Sequence, residues 1–492
     1  MKLKIKISTF LFIFLLSVTA FAQEDTYIVR FNDSVQLFSA KDNDGVDFAV
    51  ATQEELQEYI EAGIVEHYEP NYEVVAIEPM TVETEQVSTD IVDNWNYEMV
   101  NAKFADNLGV MGVDVKVAVI DSGLCSDDMI RSQILNGYDY ITDKETDKDV
   151  CNDNADGRYH GTTVSSIIAR KNTGRGTGIA KRAFIMPLRV LSYNEEKMTN
   201  TGSLGDIISA IDYATKAGCD VINLSLALMG DDIQPQNLTT LSSYIKKAVD
   251  KGIIVVAAAG NNGTSQYAYP ASLDGVISVA SVDSNSEHSE FSQYNDKVFV
   301  SAPGGLMNVD TMHKVENGQE YFYVQPTAGT SVAAPHVSAL AAIAKCIKPD
   351  IDDEGFRKLL EETSTDVGDT DYDCYYGNGI INCEKAIKEL IKGKNIYLSP
   401  ADILIAKVDD SYFGRTSVAT IYNNTTSPVE ISVLYAQYNA DNTLISAKVK
   451  NTVTVPGEKF MTVPVPCPVG NAKYMVWENL KSMVPLTPSS FK

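Results

Sequence analysis

The chain has 492 residues, 44% of them apolar, and this length predicts two to four globular domains. Its formal net charge of −26 argues against binding to nucleic acid or to an anionic membrane, since both need clustered lysine and arginine. Seven cysteines are too few for a disulfide scaffold, and their odd number leaves at least one unpaired. Cys374 and Cys383 are the expected pair, and Cys219 is expected to be a buried, unreactive thiol.

Residues 1–22 have the pattern of a secretory signal peptide. Three lysines precede an apolar run from Phe10 to Val18, and the small residues of Ala20-Phe21-Ala22 follow, which predicts cleavage before Gln23. A membrane anchor is the alternative, but the run is shorter than the roughly 20 residues that span a bilayer. No later membrane-spanning segment is predicted.

Residues 23–90 are predicted to form a small α+β unit and an acidic linker. The unit starts with the strand TYIVRF, and IVEHYEPNYEVVAI is a second strand. Thr52 and Glu55 make a capping box, and Gly63 ends the helix that follows it. The polar segment from residue 78 to 90 is the linker. The predicted apolar face of the helix consists of Leu56, Tyr59 and Ile60.

Residues 91–393 alternate apolar strands with helical segments, the pattern of an α/β domain whose parallel sheet is covered by helices on both faces. After residue 394 the helical signal ends. Short alternating runs such as TSVATIY and EISVLYAQY then predict a β-sandwich over residues 394–492. The predicted central strands are VKVAVI to Ile120, VINLSLA to Ala227, IIVVAAAG to Gly260 and GVISVASV to Val282.

Acyl transfer from a peptide needs a nucleophile, a base, a group that orients the base, and oxyanion donors. Asp121 follows a strand directly in the motif DSG, at the strand end where open parallel sheets build their sites. His160 opens the segment HGTTVSSIIAR, where Gly161 removes side-chain bulk beside the imidazole. Each residue alone is better explained as a turn former or cap. The other histidines are interpreted as structural, two of them as surface residues: His67, His336, and the surface pair His288 and His313.

Ser331 and Asn261 complete the set. Ser331 lies in GTSVAAPHV, at a predicted helix start where its backbone N–H can donate to an oxyanion, and Pro335 is expected in an early turn of that helix. Asn261 follows IIVVAAAG directly, and its amide is a second oxyanion donor. A plain N-cap for Ser331 and a turn for Asn261 are the alternatives.

The order Asp, His, Ser with these motifs resembles the subtilase family of serine peptidases, over residues 94–386. The resemblance implies a secreted serine endopeptidase that acts through an acyl-enzyme, needs no cofactor for its chemistry, and is made as a zymogen. It also implies that residues 23–90 form an inhibitory propeptide that the enzyme removes itself. Thr163 departs from the family's frequent HGTHV motif at a position outside the triad.

The same resemblance implies the contacts to substrate. An extended peptide would pair as an added strand with Ser225-Leu226-Ala227. The first specificity pocket would be walled by Ala258-Ala259-Gly260, with Ala268 opposite. Because these residues are small and uncharged, the pocket is predicted to accept a large hydrophobic side chain.

Three further interpretations concern ions, partners and location. The acidic loop before His160 is either a structural calcium site or a solvated loop, its oxygen ligands being Asp149, Asp153, Asn154 and Asp156. A noncatalytic binding protein on the same fold is the rival function. The ending VWENLKSMVPL resembles accessory domains of secreted Gram-positive proteins, which predicts an extracellular or cell-surface protein whose sandwich binds a surface, carbohydrate or partner.

Overall fold

The computed structural model describes most of the chain between residues 26 and 485. The predicted signal peptide and the predicted linker of residues 78–90 lie outside the described residues. The described ranges are 26–32, 48–77, 94–125, 130–146, 153, 159–171, 178–228, 233–316, 319–392, 396–398, 402–408, 412–423, 428–438, 444–456, 460–466, 471–479 and 484–485.

The N-terminal unit contains one helix and a three-stranded antiparallel sheet. The capping box is confirmed: Glu55 N donates to Thr52 Oγ1 at 3.3 Å, and Thr52 N donates to Glu55 Oε2 at 2.8 Å. Leu56 and Tyr59 are buried, but the prediction for Ile60 was wrong, since it is 42% exposed. Ile60 lies about 100° around the helix from Tyr59, past the edge of the buried face. The elements are β1 Thr26–Phe31, β2 Phe48–Thr52, α1 Gln53–Glu61, β3 Val65–Pro70 and β4 Glu73–Ala76, and the sheet order is β2-β1-β3.

The predicted second strand of this unit is two strands in different sheets. Asn71 N donates to Thr26 O at 3.0 Å, which ends the run beside β1. Beyond this point β4 leaves the N-terminal sheet and pairs with strands of the following domain.

The central domain is built on an eight-stranded sheet. Its strands, with those of a smaller neighbouring sheet, are β5 Lys116–Asp121, β6 Tyr138–Asp139, β7 Lys144–Glu145, β8 Phe184–Arg189, β9 Leu191–Asn194, β10 Thr199–Ser203, β11 Val221–Leu224, β12 Leu226–Leu228, β13 Ile254–Ala258, β14 Val276–Val282 and β15 Val298–Pro303. The order is β15-β14-β13-β11-β5-β8-β6-β7, and all pairs are parallel except β6 with β7. After β5 the chain forms β6, β7 and β8 on one side of it, and then β11 and the later strands on the other side. The strand β5 therefore lies at the switch point where such sheets place their sites.

Helices cover both faces of this sheet, as predicted. Alternate residues of β5 point to opposite faces, so Val117 and Val119 enter one apolar cluster while Ala118 and Ile120 enter the other. In the part of the chain that the structure describes, one helix, Thr330–Ile347, is long and apolar enough to cross a membrane, and 89% of it is buried inside the protein. The helices are α2 Trp95–Met99, α3 Lys103–Leu108, α4 His160–Ala169, α5 Leu204–Lys216, α6 Thr239–Asp250, α7 Thr330–Ile347, α8 Asp353–Thr363 and α9 Cys383–Leu390, with short 3-10 helices at Arg131–Gln133 and Pro235–Asn237.

A four-stranded sheet of order β12-β4-β10-β9 joins the N-terminal unit to the central domain. In it β4 is antiparallel to both neighbours, with Val75 opposite Thr201 on one side and Ala227 on the other. The predicted strand VINLSLA is therefore broken at Ser225, because β11 belongs to the large sheet and β12 to this one.

The remaining strands form a hairpin and two antiparallel sheets of four strands. The hairpin is β16 Met307–Glu316 with β17 Gln319–Thr327. The sheets follow the orders β18-β20-β19, with β23 also beside β20, and β22-β21-β24-β25. Their packing as a sandwich stays a prediction. The strands are β18 Ile396–Leu398, β19 Asp402–Val408, β20 Tyr412–Asn423, β21 Val429–Tyr438, β22 Leu444–Val455, β23 Phe460–Pro466, β24 Asn471–Asn479 and β25 Val484–Pro485.

Candidate active site

Asp121 and His160 are hydrogen-bonded to each other in a buried site. Asp121 is the last residue of β5 and His160 the first residue of α4. His160 Nδ1 lies 2.7 Å from Asp121 Oδ1, and both side chains are inaccessible to solvent. Since an ionised carboxylate only accepts, this contact assigns the proton to Nδ1 and leaves Nε2 as the basic nitrogen.

Gly161 allows α4 to approach the DSG motif. A Cβ at this position would collide with the backbone of Gly123, so the absence of a side chain lets the loop after β5 lie against the start of α4. Thr163, the departure from the family motif, donates its hydroxyl to Tyr159 O at 3.0 Å and is buried inside the helix.

Ser331 is the second residue of α7, which packs against α4. Its Oγ is buried and makes no hydrogen bond to any residue that the structure describes. Pro335 is the sixth residue of α7, later than the early turn predicted for it. Having no N–H, Pro335 cannot donate to the carbonyl of Ser331 four residues earlier. Ser225 Oγ donates to that carbonyl instead, at 2.8 Å.

Asn261 is held by its amide oxygen. Both Thr330 N and Thr330 Oγ1 donate to Asn261 Oδ1, at 2.9 and 2.8 Å. The amide oxygen therefore accepts hydrogen bonds from the residue before Ser331. The remaining group of this side chain, Nδ2, is the donor that can face a developing oxyanion.

A buried carboxylate supports this arrangement, and sequence reasoning considered it only as a calcium ligand. Asp153 Oδ1 accepts from Ser122 Oγ at 2.7 Å, and Oδ2 accepts from Thr162 N and Oγ1 at 2.9 and 2.6 Å. Ser122 Oγ in turn accepts from Gly161 N at 2.9 Å. Burial raises the pKa of the Asp153 carboxyl, while the hydrogen bonds from Thr162 and Ser122 lower it. Asp153 thus ties the residue after Asp121 to the first turn of α4.

The described residues add no support for a calcium site in the acidic loop. Both Asp153 oxygens already accept protein hydrogen bonds, and the other three proposed ligands lie outside the described residues. Among the described residues there is no group of three or more His, Cys, Asp or Glu side chains that could hold a metal ion. A calcium site in this loop stays a prediction.

The segment predicted to pair with substrate lies beside β4. Leu226 and Ala227 are opposite Ala76 and Val75 in the antiparallel register, and Ile77 N donates to Ser225 O at 3.2 Å. The predicted pocket wall is also small and buried: Ala258, Ala259, Gly260 and Ala268.

Gly260 is required by its surroundings. Its φ is +111°, and a Cβ there would meet the side chain of Gln293. Gly260 N donates to Thr330 Oγ1 at 3.1 Å, so this residue links the pocket wall to the turn that carries Ser331.

The cysteine predictions are partly wrong. Cys374 and Cys383 are both free; Cys383 is buried at the start of α9, and Cys374 is partly exposed in a loop. Cys125, which sequence reasoning passed over, is disulfide-bonded. Cys219 is buried and free as predicted, and burial raises the pKa of its thiol to about 12.

The remaining histidines differ in their surroundings. His336 is buried in α7, where Nδ1 lies 2.8 Å from Val332 O and Nε2 lies 3.0 Å from Asn96 Nδ2. His67 pairs with Glu69 at 3.1 Å. The surface prediction for His288 was wrong, since it is half-buried, and the side chain of His313 lies outside the described residues. The rings around His288 are those of Tyr294, Tyr375 and Tyr376.

The chain is similar to known proteases. A model of the subtilase family matches residues 112–379. M-protease of Shouchella clausii is 30% identical over 76% of this chain and 94% of its own, and subtilisin Savinase of Lederbergia lenta is 32% identical over 60% and 98%. Among solved structures, a protease from Pseudoalteromonas arctica is 27% identical with a TM-score of 0.51, covering 62% of this chain and 98% of that one.

The chain therefore belongs to the subtilase family. It is a serine-type endopeptidase with a subtilisin-like α/β fold, and it acts on protein substrates.

Proposed function

We propose that Asp121, His160 and Ser331 are the catalytic triad of this endopeptidase and that Asn261 is an oxyanion donor. The observation that carries the proposal is the 2.7 Å hydrogen bond between Asp121 and His160 Nδ1, since it presents Nε2 as a base. The packing of α4 on α7 supports the pairing of that base with Ser331.

In this mechanism His160 takes the proton of Ser331 Oγ as the oxygen attacks the substrate carbonyl, and then gives it to the leaving amine. Asp121 holds the imidazole and stabilises its charged form. The Asn261 amide and the backbone N–H of Ser331 stabilise the oxyanion. Activity should fall on acidification as His160 takes up a proton, and a flat rate between about pH 5 and 8 would contradict this role.

The N-terminal unit is proposed to inhibit the enzyme by occupying its substrate groove. Besides the pairing of β4, two polar side chains dock this unit on helix N-termini. The carboxylate of Glu69, 2% exposed, accepts from Thr240 N in the first turn of α6, and Asn71 Oδ1 accepts from Gly205 N in the first turn of α5. Such N–H groups have no partner within their own helix, and a helix N-terminus favours a negative charge.

The proposed zymogen is organised in four parts: a signal peptide over residues 1–22, an inhibitory propeptide and linker over 23–90, the peptidase domain over 91–393, and an accessory β-sandwich over 394–492. Its similarity to bacterial alkaline proteases and subtilisins supports secretion. The accessory domain is proposed to bind a surface or partner, and deletion of residues after 394 would separate cleavage from cell association.

The experiment compares wild type with Ser331→Ala on a fluorogenic protein substrate. Ser331→Ala is expected to lose activity and to keep its N-terminal unit attached. Ser209→Ala is the matched control, because it removes another serine hydroxyl, one that donates to the carbonyl of Gly205 in α5 and lies outside the site. Equal activity of wild type and Ser331→Ala would refute the proposal.

A further inference from the structure

The last described residue of the N-terminal unit lies next to the nucleophile's backbone. Ile77 N donates to Ser225 O at 3.2 Å, and Ser225 Oγ donates to Ser331 O at 2.8 Å. A single residue of the central domain therefore contacts both Ile77 and Ser331.

The strand register gives the direction in which the chain runs. Along β4, Val74 faces Leu228, Val75 faces Ala227, and Ala76 faces Leu226. Because the pair is antiparallel, each step toward the C-terminus of β4 is a step toward Ser225. Ile77 is the residue at which the strand reaches it.

The side chain of Ile77 is placed as a recognition group. It is 5% exposed and belongs to the same apolar cluster as Ala258, in the predicted pocket wall. Val74 and Ala76, on the other face of the strand, are buried in a different apolar cluster, and Glu73 and Val75, on the same face as Ile77, are partly exposed, so Ile77 is the buried residue of its face.

We propose that the bond between Ile77 and Glu78 is the one this enzyme cuts in its own chain. This inference rests on the proposed function. Ser331 Oγ attacks the Ile77 carbonyl carbon, the amide bond breaks, and the proton from Ser331 leaves on the nitrogen of Glu78. Water then hydrolyses the ester, so the products are a carboxylate at Ile77, a new amino terminus at Glu78, and regenerated Ser331.

This bond immediately precedes the predicted acidic linker of residues 78–90, so the linker would stay on the catalytic chain. A cut here also predicts that the enzyme accepts Val-Val-Ala-Ile on the acyl side. An aspartate at position 77 would have to place an unpaired carboxylate among apolar side chains, which is strongly unfavourable.

The test is a time course of self-processing by the full-length chain, followed by intact mass and N-terminal sequencing. The first products are expected to be a fragment that ends at Ile77 and a catalytic chain that begins at Glu78, and Ser331→Ala should give neither. Ile77→Asp should slow the cut at this bond on the order of 100-fold or more. Ile91→Asp, the same change beyond the linker, should leave it unchanged.

A second measurement covers the case in which Ile77→Asp prevents folding. Mature wild-type enzyme is given a synthetic peptide of residues 73–82, and cleavage is expected after Ile77, while the same peptide carrying Ile77→Asp should stay uncut. If the enzyme cleaves a general protein substrate but its first self-cut lies elsewhere, this inference is wrong while the proposed function stands. If wild type and Ser331→Ala show the same cleavage of every substrate, the proposed function itself fails.

Discussion

Ser225 Oγ donates a hydrogen bond to the backbone carbonyl of Ser331, at 2.8 Å. Pro335 removes the helical donor that this carbonyl would otherwise have, so the hydroxyl from the loop between β11 and β12 takes its place. Asn223 Nδ2 donates to Ser225 Oγ at 3.0 Å, and Ser338 Oγ donates to Asn223 Oδ1 at 2.8 Å. The first turn of α7 is thus tied to the central sheet through side chains.

Replacing Ser225 with alanine should therefore misplace the nucleophile. We expect Ser225→Ala to lower kcat about 5- to 30-fold, equivalent to about 1–2 kcal/mol for one buried hydrogen bond. KM should change little, because the backbone carbonyl of Ser225 stays available to substrate. Steady-state kinetics on a peptide substrate measure both, and Ser209→Ala is the control. A rise in KM at constant kcat would contradict the assignment.

Asn261→Ala should remove one oxyanion donor. The expected loss in kcat is about 100- to 1000-fold, the range known for the equivalent change in subtilisin, a relative of this chain. Asn262→Ala changes the next side chain, which is exposed, and should leave kcat within about twofold of wild type. If both variants behaved alike, Asn261 would have no special role.

Asp153→Asn should loosen the connection between the DSG motif and α4. The change replaces one carboxylate oxygen of Asp153 with an NH2 group, which would face the donors of Ser122 or Thr162. We therefore expect the free energy of unfolding to fall by about 1–3 kcal/mol. Urea titration in the Ser331→Ala background measures this without self-cleavage. Asp274→Asn is the control, since that side chain is fully exposed. An unchanged unfolding midpoint for Asp153→Asn would show that the network is not needed for stability.

His336 should make the protein less stable in acid. Burial lowers its pKa from 6.5 to about 4, so between these values the unfolded chain binds a proton that the folded chain does not. The contribution of His336 to the free energy of unfolding, roughly 3 kcal/mol, is fully present above about pH 6.5 and is lost as the pH falls toward 4.

The measurement is urea unfolding at several pH values in the Ser331→Ala background. His336→Gln removes the titrating group and should flatten the dependence of the unfolding free energy on pH in this window, although it also loses native contacts. An equal slope in both proteins would mean that His336 does not cause it.

Sequence patterns predicted the central strands well because buried parallel strands are continuous apolar runs, as in β13 and β14. They missed β8, in which Pro187 interrupts the pattern that favours a strand. The placement of Asp121, His160, Ser331 and Asn261 at strand ends and helix starts could also be predicted, since each follows or opens a strongly patterned element.

The tertiary partners of these residues could not be predicted. The bond from Ser225 to Ser331 joins residues 106 apart, and that from Asp153 to Ser122 joins residues 31 apart, so no local pattern contains them. The cysteine pairing failed for the same reason, because a disulfide depends on the separation and direction of two Cβ atoms in space and not on nearness in sequence.

The position of β4 has one more consequence. It is an inner strand, bonded to β10 on one side and β12 on the other. Without it, two unsatisfied strand edges would face each other across a gap of about 10 Å, twice the spacing of neighbouring strands. Only a single chain stripped of its own secondary structure fits such a slot, since a helix or a hairpin is too wide. The enzyme would therefore select substrates first by backbone conformation and only then by side chain. Segments that stay folded would not be cleaved, and segments that become extended would be.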